Sequence, residues 1–166
     1  MAPPTERLND AIALREAGRT DEALPLLVAL ADEFPADAQV QYQAAWVHDV
    51  LGLEAEAVPY YEQALAFGLP EPELEGLVLG LGSTYRNVER YADSVALLRR
   101  GTRDYPANAA MRCFLALSLL SAGDANAALA TLLDVVLDEP PSASIERYRR
   151  SLSGYRDELR GVATGA

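Results

Sequence analysis

Laid against itself, the chain repeats every 34 residues, and that period constrains its fold more than any other feature. Four windows fall in register: Pro4–Asp37, Ala38–Glu71, Glu75–Asn108 and Ala109–Ser142. Only Pro72, Glu73 and Leu74 lie between windows. A small residue recurs early in each (Ala11, Ala45, Gly82, Ala116) and again later (Ala23, Ala57, Ser94, Ala128). Four positions after the second small site comes a bulky residue: Leu27, Tyr61, Leu98 and Leu132.

The punctuation agrees. Gly18, Gly52 and Gly123 each follow one amphipathic run and precede another, as helix C-termini do. Pro35, Pro106 and Pro140 close apolar runs, and Pro70 does so less regularly. Pro25 and Pro59 share one position of windows one and two, expected near the end of a first helical turn, where a missing N–H costs least. Each window therefore reads as two amphipathic helices joined by a short turn. One pair alone cannot bury its apolar face, but stacked pairs can, so the expected fold is all-α and stabilised between neighbours.

This pattern resembles the tetratricopeptide repeat family. Window three carries it most clearly, with Leu81-Gly82, Tyr85, Ser94, Leu98 and Pro106. Window four has Leu115-Ala116, Leu119, Ala128, Leu132 and Pro140, and window one has Ala11, Leu14, Ala23, Leu27 and Pro35. Window two departs, with His48 at the family tyrosine and Leu69 where proline is usual. The resemblance covers about residues 4–142 and is nearest to the short stand-alone bacterial members. It implies one domain over residues 1–166: a right-handed superhelical α-solenoid of four helix pairs. Ile145, Tyr148, Leu152, Tyr155 and Leu159 predict a capping helix over 143–160, followed by a loose tail at 161–166.

Charge narrows the partners. The net charge is −11, which disfavours nucleic acid and anionic membranes. Residues 1–75 hold fifteen acids and three arginines, whereas 76–166 hold ten acids and eleven arginines. All 14 basic residues are arginine. The single cysteine, Cys113, excludes an intrachain disulfide and a multi-cysteine metal site. The first residues lack the apolar stretch of a signal peptide, and no apolar run approaches membrane-spanning length, so the expected location is the cytoplasm.

Little in the sequence points to catalysis. His48 stands beside Asp49, but at a core-facing position and with no nucleophile assignable to it, so it reads as a packing residue. The run from Gly76 to Thr84 resembles a phosphate loop, yet it lacks the required lysine and falls inside a predicted helix. Gly82 has a packing reason, whereas Gly76 and Gly80 read either as a flattened face that admits another backbone or as tolerated glycines. Asp21/Glu22, Asp32/Glu33 and Asp138/Glu139 fall at helix ends or on solvent faces. Cys113 reads as a small lining residue. The expectation is a protein with no enzymatic activity, catalytic residue, cofactor or metal.

In the family this chain resembles, the first helices of successive repeats line a groove that receives a partner's peptide or helix. Carried across, the groove comprises Leu8, Ile12, Arg15, Tyr42, Trp46, Asp49, Leu79, Arg86, Asn87 and Leu117. The clamp with which some members grip acidic chaperone tails is missing, because Leu8, Ile12, Gln43, Gly76 and Gly80 occupy its sites. The implied floor is apolar (Leu8, Ile12, Tyr42, Trp46, Leu79, Leu117), edged by Arg15, Asp49 and Arg86. The expected function is a protein-interaction module for a polypeptide segment of apolar or amphipathic character. The alternative is a self-associating homodimer, with Arg149, Arg156 and Arg160 turned toward the acidic first half of a second copy.

Overall fold

The structure is a computed structural model, and it describes residues 5–138 together with 146, 149–150, 152–153, 156–157 and 159–161. Among the described residues the ordered elements are helical: α1 (Thr5–Glu16), α2 (Thr20–Glu33), α3 (Ala38–Val50), α4 (Glu54–Ala66), α5 (Glu73–Asn87), α6 (Tyr91–Asp104), α7 (Ala109–Ser121) and α8 (Ala125–Asp138). Each window yields two of them. The chain divides into two compact units, Met1–Val88 and Glu89–Ala166.

The first unit holds α1 to α5. Consecutive helices pack against each other, and α3 also touches both α1 and α5, so these three share one layer. The small sites sit at the crossings: Ala11, Ala23, Ala45 and Ala57 are all fully buried, which lets the helices approach. Leu27 and Tyr61 fill the spaces beside them. Leu69 is buried as well, which gives a packing reason for leucine where the other windows have proline.

Turns follow the sequence logic with one exception. Gly18, Gly52 and Gly123 adopt φ of +74°, +72° and +88°, and the residue after each donates its N–H back to Leu14, His48 or Leu119. The corresponding residue of window three is Glu89, at φ +63°. The starts of α3 and α7 are capped by side chains. Asp37 accepts from the N–H groups of Gln39 and Val40, and Asn108 from that of Met111, each two residues beyond the proline of its turn.

One expectation about this unit needs correction. Pro25 and Pro59 are each the sixth residue of their helix, in the second turn. The carbonyls of Asp21 and Ala55 lose a helical donor there, and both residues are exposed, so water can replace it. Glu73 and Leu74, which lie between windows, extend α5 at its N-terminus to 15 residues.

The second unit holds α6 to α8. Ser94 of α6 donates to Ser118 of α7 at 2.7 Å, and Ser118 donates to the Phe114 carbonyl, so the small site here is polar but satisfied. Leu98 is fully buried. Its counterpart in the last window, Leu132, remains 39% exposed, contrary to a gap-filling role, because no further pair follows it in the repeat. Leu117, Leu120, Leu129 and Val136 are exposed in the same unit.

The described residues of the expected cap are helical up to Leu159, while Ile145, Tyr148 and Tyr155 of its stripe, and Pro140, lie outside them. Arg149 donates to the Leu137 carbonyl at 2.7 Å. Arg156 and Arg160 both pair with Asp134 of α8. The three arginines expected to orient a second copy are thus engaged within their own unit, and the charge argument for a homodimer loses its main support.

Candidate binding groove

The nine expected groove residues of the first unit lie on α1, α3 and α5, the three helices of one layer. Leu117 lies on α7 in the second unit, where it is 43% exposed.

At the centre of the face is a pair. The Arg15 guanidinium covers the ring of Trp46, 3.5 Å from its centroid. Trp46 remains 37% exposed, and Tyr42, one helical turn earlier, packs beside it with ring centroids 5.7 Å apart. Arg15 is buried, and no hydrogen-bond acceptor among the described residues meets it. Its ion pair with Glu16 is at 3.7 Å, beyond hydrogen-bonding distance. Burial lowers the Arg15 pKa, with Glu16 and the tyrosines Tyr42 and Tyr61 opposing the shift. Burial likewise raises Tyr42 above its ordinary value. A planar cation is therefore held with its face on an aromatic ring and its donors unspent.

Other expected floor residues behave differently. Leu8 is a core residue in a cluster with Ala11, Leu27, Ala44 and Val47, and Tyr42 is only 6% exposed. Both were expected to line an open floor; each is drawn inward because it packs against the second helices as well as along the layer. Ile12 and Leu79 are half-buried. Arg86 is half-buried and donates to Asn87, which in turn reaches Glu54 at 3.4 Å.

Asp49, expected on the groove's edge, turns inward. Its Oδ2 accepts from the Tyr61 hydroxyl, and its Oδ1 lies 3.2 Å from the Thr84 hydroxyl. Burial raises its pKa, while the Thr84 and Tyr61 bonds oppose the shift. Tyr61 is pushed up by burial first and then by Asp49. Thr84 has one hydrogen, and its shorter bond, at 2.8 Å, is to the Gly80 carbonyl. Asp49 thus ties α3 to α4 through Tyr61 and lies against Thr84 of α5.

The glycines of α5 belong to the same arrangement. A Cβ at Gly76 would stand 2.7 Å from the Tyr42 hydroxyl, and one at Gly80 would stand 2.8 Å from that of Tyr61. They admit tyrosine side chains, not another backbone. Tyr61 was expected only as a bulky packing residue, and neither its hydroxyl nor that of Thr84 was expected at the site. The available signal was a tyrosine at the bulky site where the other windows carry leucine.

His48 is buried, hydrogen-bonded through Nδ1 to the Ala44 carbonyl at 2.7 Å and stacked on Tyr60. It packs, as its position suggested. Cys113 is a half-buried free thiol. Among the described residues no three metal-ligating side chains gather, and no helix is long and apolar enough to cross a membrane.

Known proteins agree with the helix-pair architecture. The structure of YrrB, described as a TPR protein with an unusual peptide-binding site, is 20% identical over 95% of this chain and 78% of its own, with a TM-score of 0.71. MamA from Desulfovibrio magneticus RS-1 is 16% identical over 98% and 96%, with a TM-score of 0.73. Kinesin light chain TPR-like repeats of Podosopora anserina are 17% identical over 98% and 96%, with a TM-score of 0.72. No curated protein matches the chain. The model of the family described as Tetratrico peptide repeat matches residues 38–159. Its α-solenoid fold is the one that the windows, the buried small sites and the turn glycines require, and the chain belongs to the tetratricopeptide repeat family.

Proposed function

We propose that the protein is a non-catalytic interaction module that holds a segment of another polypeptide along α1, α3 and α5. The observation that carries this reading is the Arg15–Trp46 pair. An exposed indole with a guanidinium across it, on the face that three helices share, has the composition of an interface anchor. The guanidinium meets no acceptor among the described residues, which leaves hydrogen-bonding capacity for a partner. Ile12 and Leu79 add apolar surface beside the pair, which suits an amphipathic helical segment. Similarity to a TPR protein whose structure is described by its peptide-binding site supports the same reading.

Trp46 is the only tryptophan, so its fluorescence reports this face alone. A library of amphipathic helical peptides should yield binders that shift Trp46 emission. Trp46→Ala should weaken them by about 2 kcal/mol or more while the circular dichroism spectrum stays helical. Binders that leave Trp46 emission unchanged and bind the variant equally well would move the site to another face.

A further inference from the structure

Behind the groove layer, the first unit has an open cleft of about 500 Å³ between α2 and α4, with α3 at its base. A buried amide lies beneath its floor. Gln41 is 1% exposed, and its Nε2 donates to the carbonyls of Ala31 and Phe34, which fixes the amide's orientation. Its Oε1 is left buried without a partner. Unpaired buried acceptors of this kind are rare, because the group forfeits its hydration.

His48 lines the same cleft. A carbonyl can only accept, so the 2.7 Å bond to Ala44 makes Nδ1 the donor, and in the neutral ring Nε2 is an acceptor. Asp32 and Glu56 add carboxylates; both are exposed and have no ion pair among the described residues. Tyr60 supplies an aromatic wall stacked on His48, and Pro35 and Pro59 supply apolar ones. No cation of the described residues lines the cleft.

We propose that this cleft receives an arginine side chain from a partner polypeptide. The His48 acceptor at the base and the carboxylates at the mouth call for a cation with several donors. Aromatic and proline walls suit a flat group on an aliphatic stem. A guanidinium satisfies both conditions, whereas an ammonium is a strongly hydrated point charge that gains less from the walls. The site is separate from the groove and does not rest on that reading.

The chain has one histidine, so His48 gives a single imidazole NMR signal from within the cleft. The probes are end-blocked arginine, lysine and citrulline (the N-acetyl methylamides), at fixed pH and ionic strength. The arginine derivative should shift the signal saturably, and lysine and citrulline should bind roughly fivefold or more weakly. Asp32→Asn combined with Glu56→Gln touches exposed residues only, so the fold should stay intact while arginine binding falls by roughly fivefold. The absence of a saturable shift, an equal response to lysine or citrulline, or undiminished binding by the double variant would each overturn the proposal. Tighter binding of free arginine than of the blocked form would overturn the polypeptide source. A shift that grows with protein concentration alone would overturn the separate partner in favour of a second copy.

Discussion

The Tyr61 hydroxyl stands where a side chain at position 80 would begin, 2.8 Å from the Cβ that Gly80 lacks. Two more ring atoms lie within 3.4 Å of the same point, and Tyr61 is only 2% exposed. The ring therefore has little room to retreat, and its bond to Asp49 would have to break if it did.

Gly80→Ala tests this relationship. In an ordinary helix interior the change would stabilise by ~1 kcal/mol. Here overpacking should outweigh that gain and leave the protein about 1–2 kcal/mol less stable in urea denaturation. Gly76→Ala makes a useful contrast. Its Cβ would meet chiefly the tip of Tyr42, so the two effects should nearly cancel. Equal stabilisation by both variants would show that Tyr61 moves freely.

Glu89 offers a gain. It holds φ +63° at the turn position where three other windows place glycine. A left-handed conformation costs a non-glycine residue ~1–2 kcal/mol, partly offset by glycine's greater freedom in the unfolded chain. Glu89→Gly should raise stability by about 0.5–1 kcal/mol, measurable as a higher denaturation midpoint at an unchanged slope. A loss would mean that the glutamate side chain makes a compensating contact.

Asp49 sets a pH dependence. Burial raises its folded pKa, so in the window between its unfolded and folded values the native state holds more protons than the unfolded one. Its contribution is most favourable below the unfolded value and is lost as pH rises through the folded one. Asp49→Asn cannot ionise and should keep an acceptor for Tyr61. Wild type and variant should diverge as pH climbs out of the ordinary carboxylate range, with the variant the more stable at neutrality. Parallel melting curves across that range would remove Asp49 as the cause.

Arg15→Met separates binding from folding. The methionine keeps an unbranched apolar stem over Trp46 and removes a buried charge without an acceptor. Stability should hold or rise, while peptides selected for a Trp46 response should bind about tenfold more weakly, ~1.4 kcal/mol. Unimpaired binding by a folded variant would confine Arg15 to packing.

The period carried most of the fold. Small residues at fixed spacing force close helix crossings, and positive-φ glycines end helices whatever their neighbours, so Ala11, Ala23, Gly18 and Gly52 were readable from local rules. The groove was readable only as a helix face. A face assigned by register does not say which side chains are drawn beneath it, so Leu8 and Tyr42 were placed too far out. Asp49 turned inward because the Tyr61 hydroxyl of another helix reaches it, a long-range arrangement with no local signature. Gly76 and Gly80 became intelligible only once tyrosines from α3 and α4 stood against them.

The uneven charge has a colloidal consequence. Residues 1–88 carry fifteen acids against four arginines, whereas residues 89–166 carry ten of each. Essentially all of the repulsion that keeps separate molecules apart therefore originates in the first unit, while Leu120, Leu129 and Val136 are exposed on an electrically neutral one. The acidic repeats act as a covalently attached dispersant for the apolar ones. As acid titrates carboxylates in both units that repulsion fades, and the protein should flocculate near its isoelectric point of about 4.5, where the net charge vanishes.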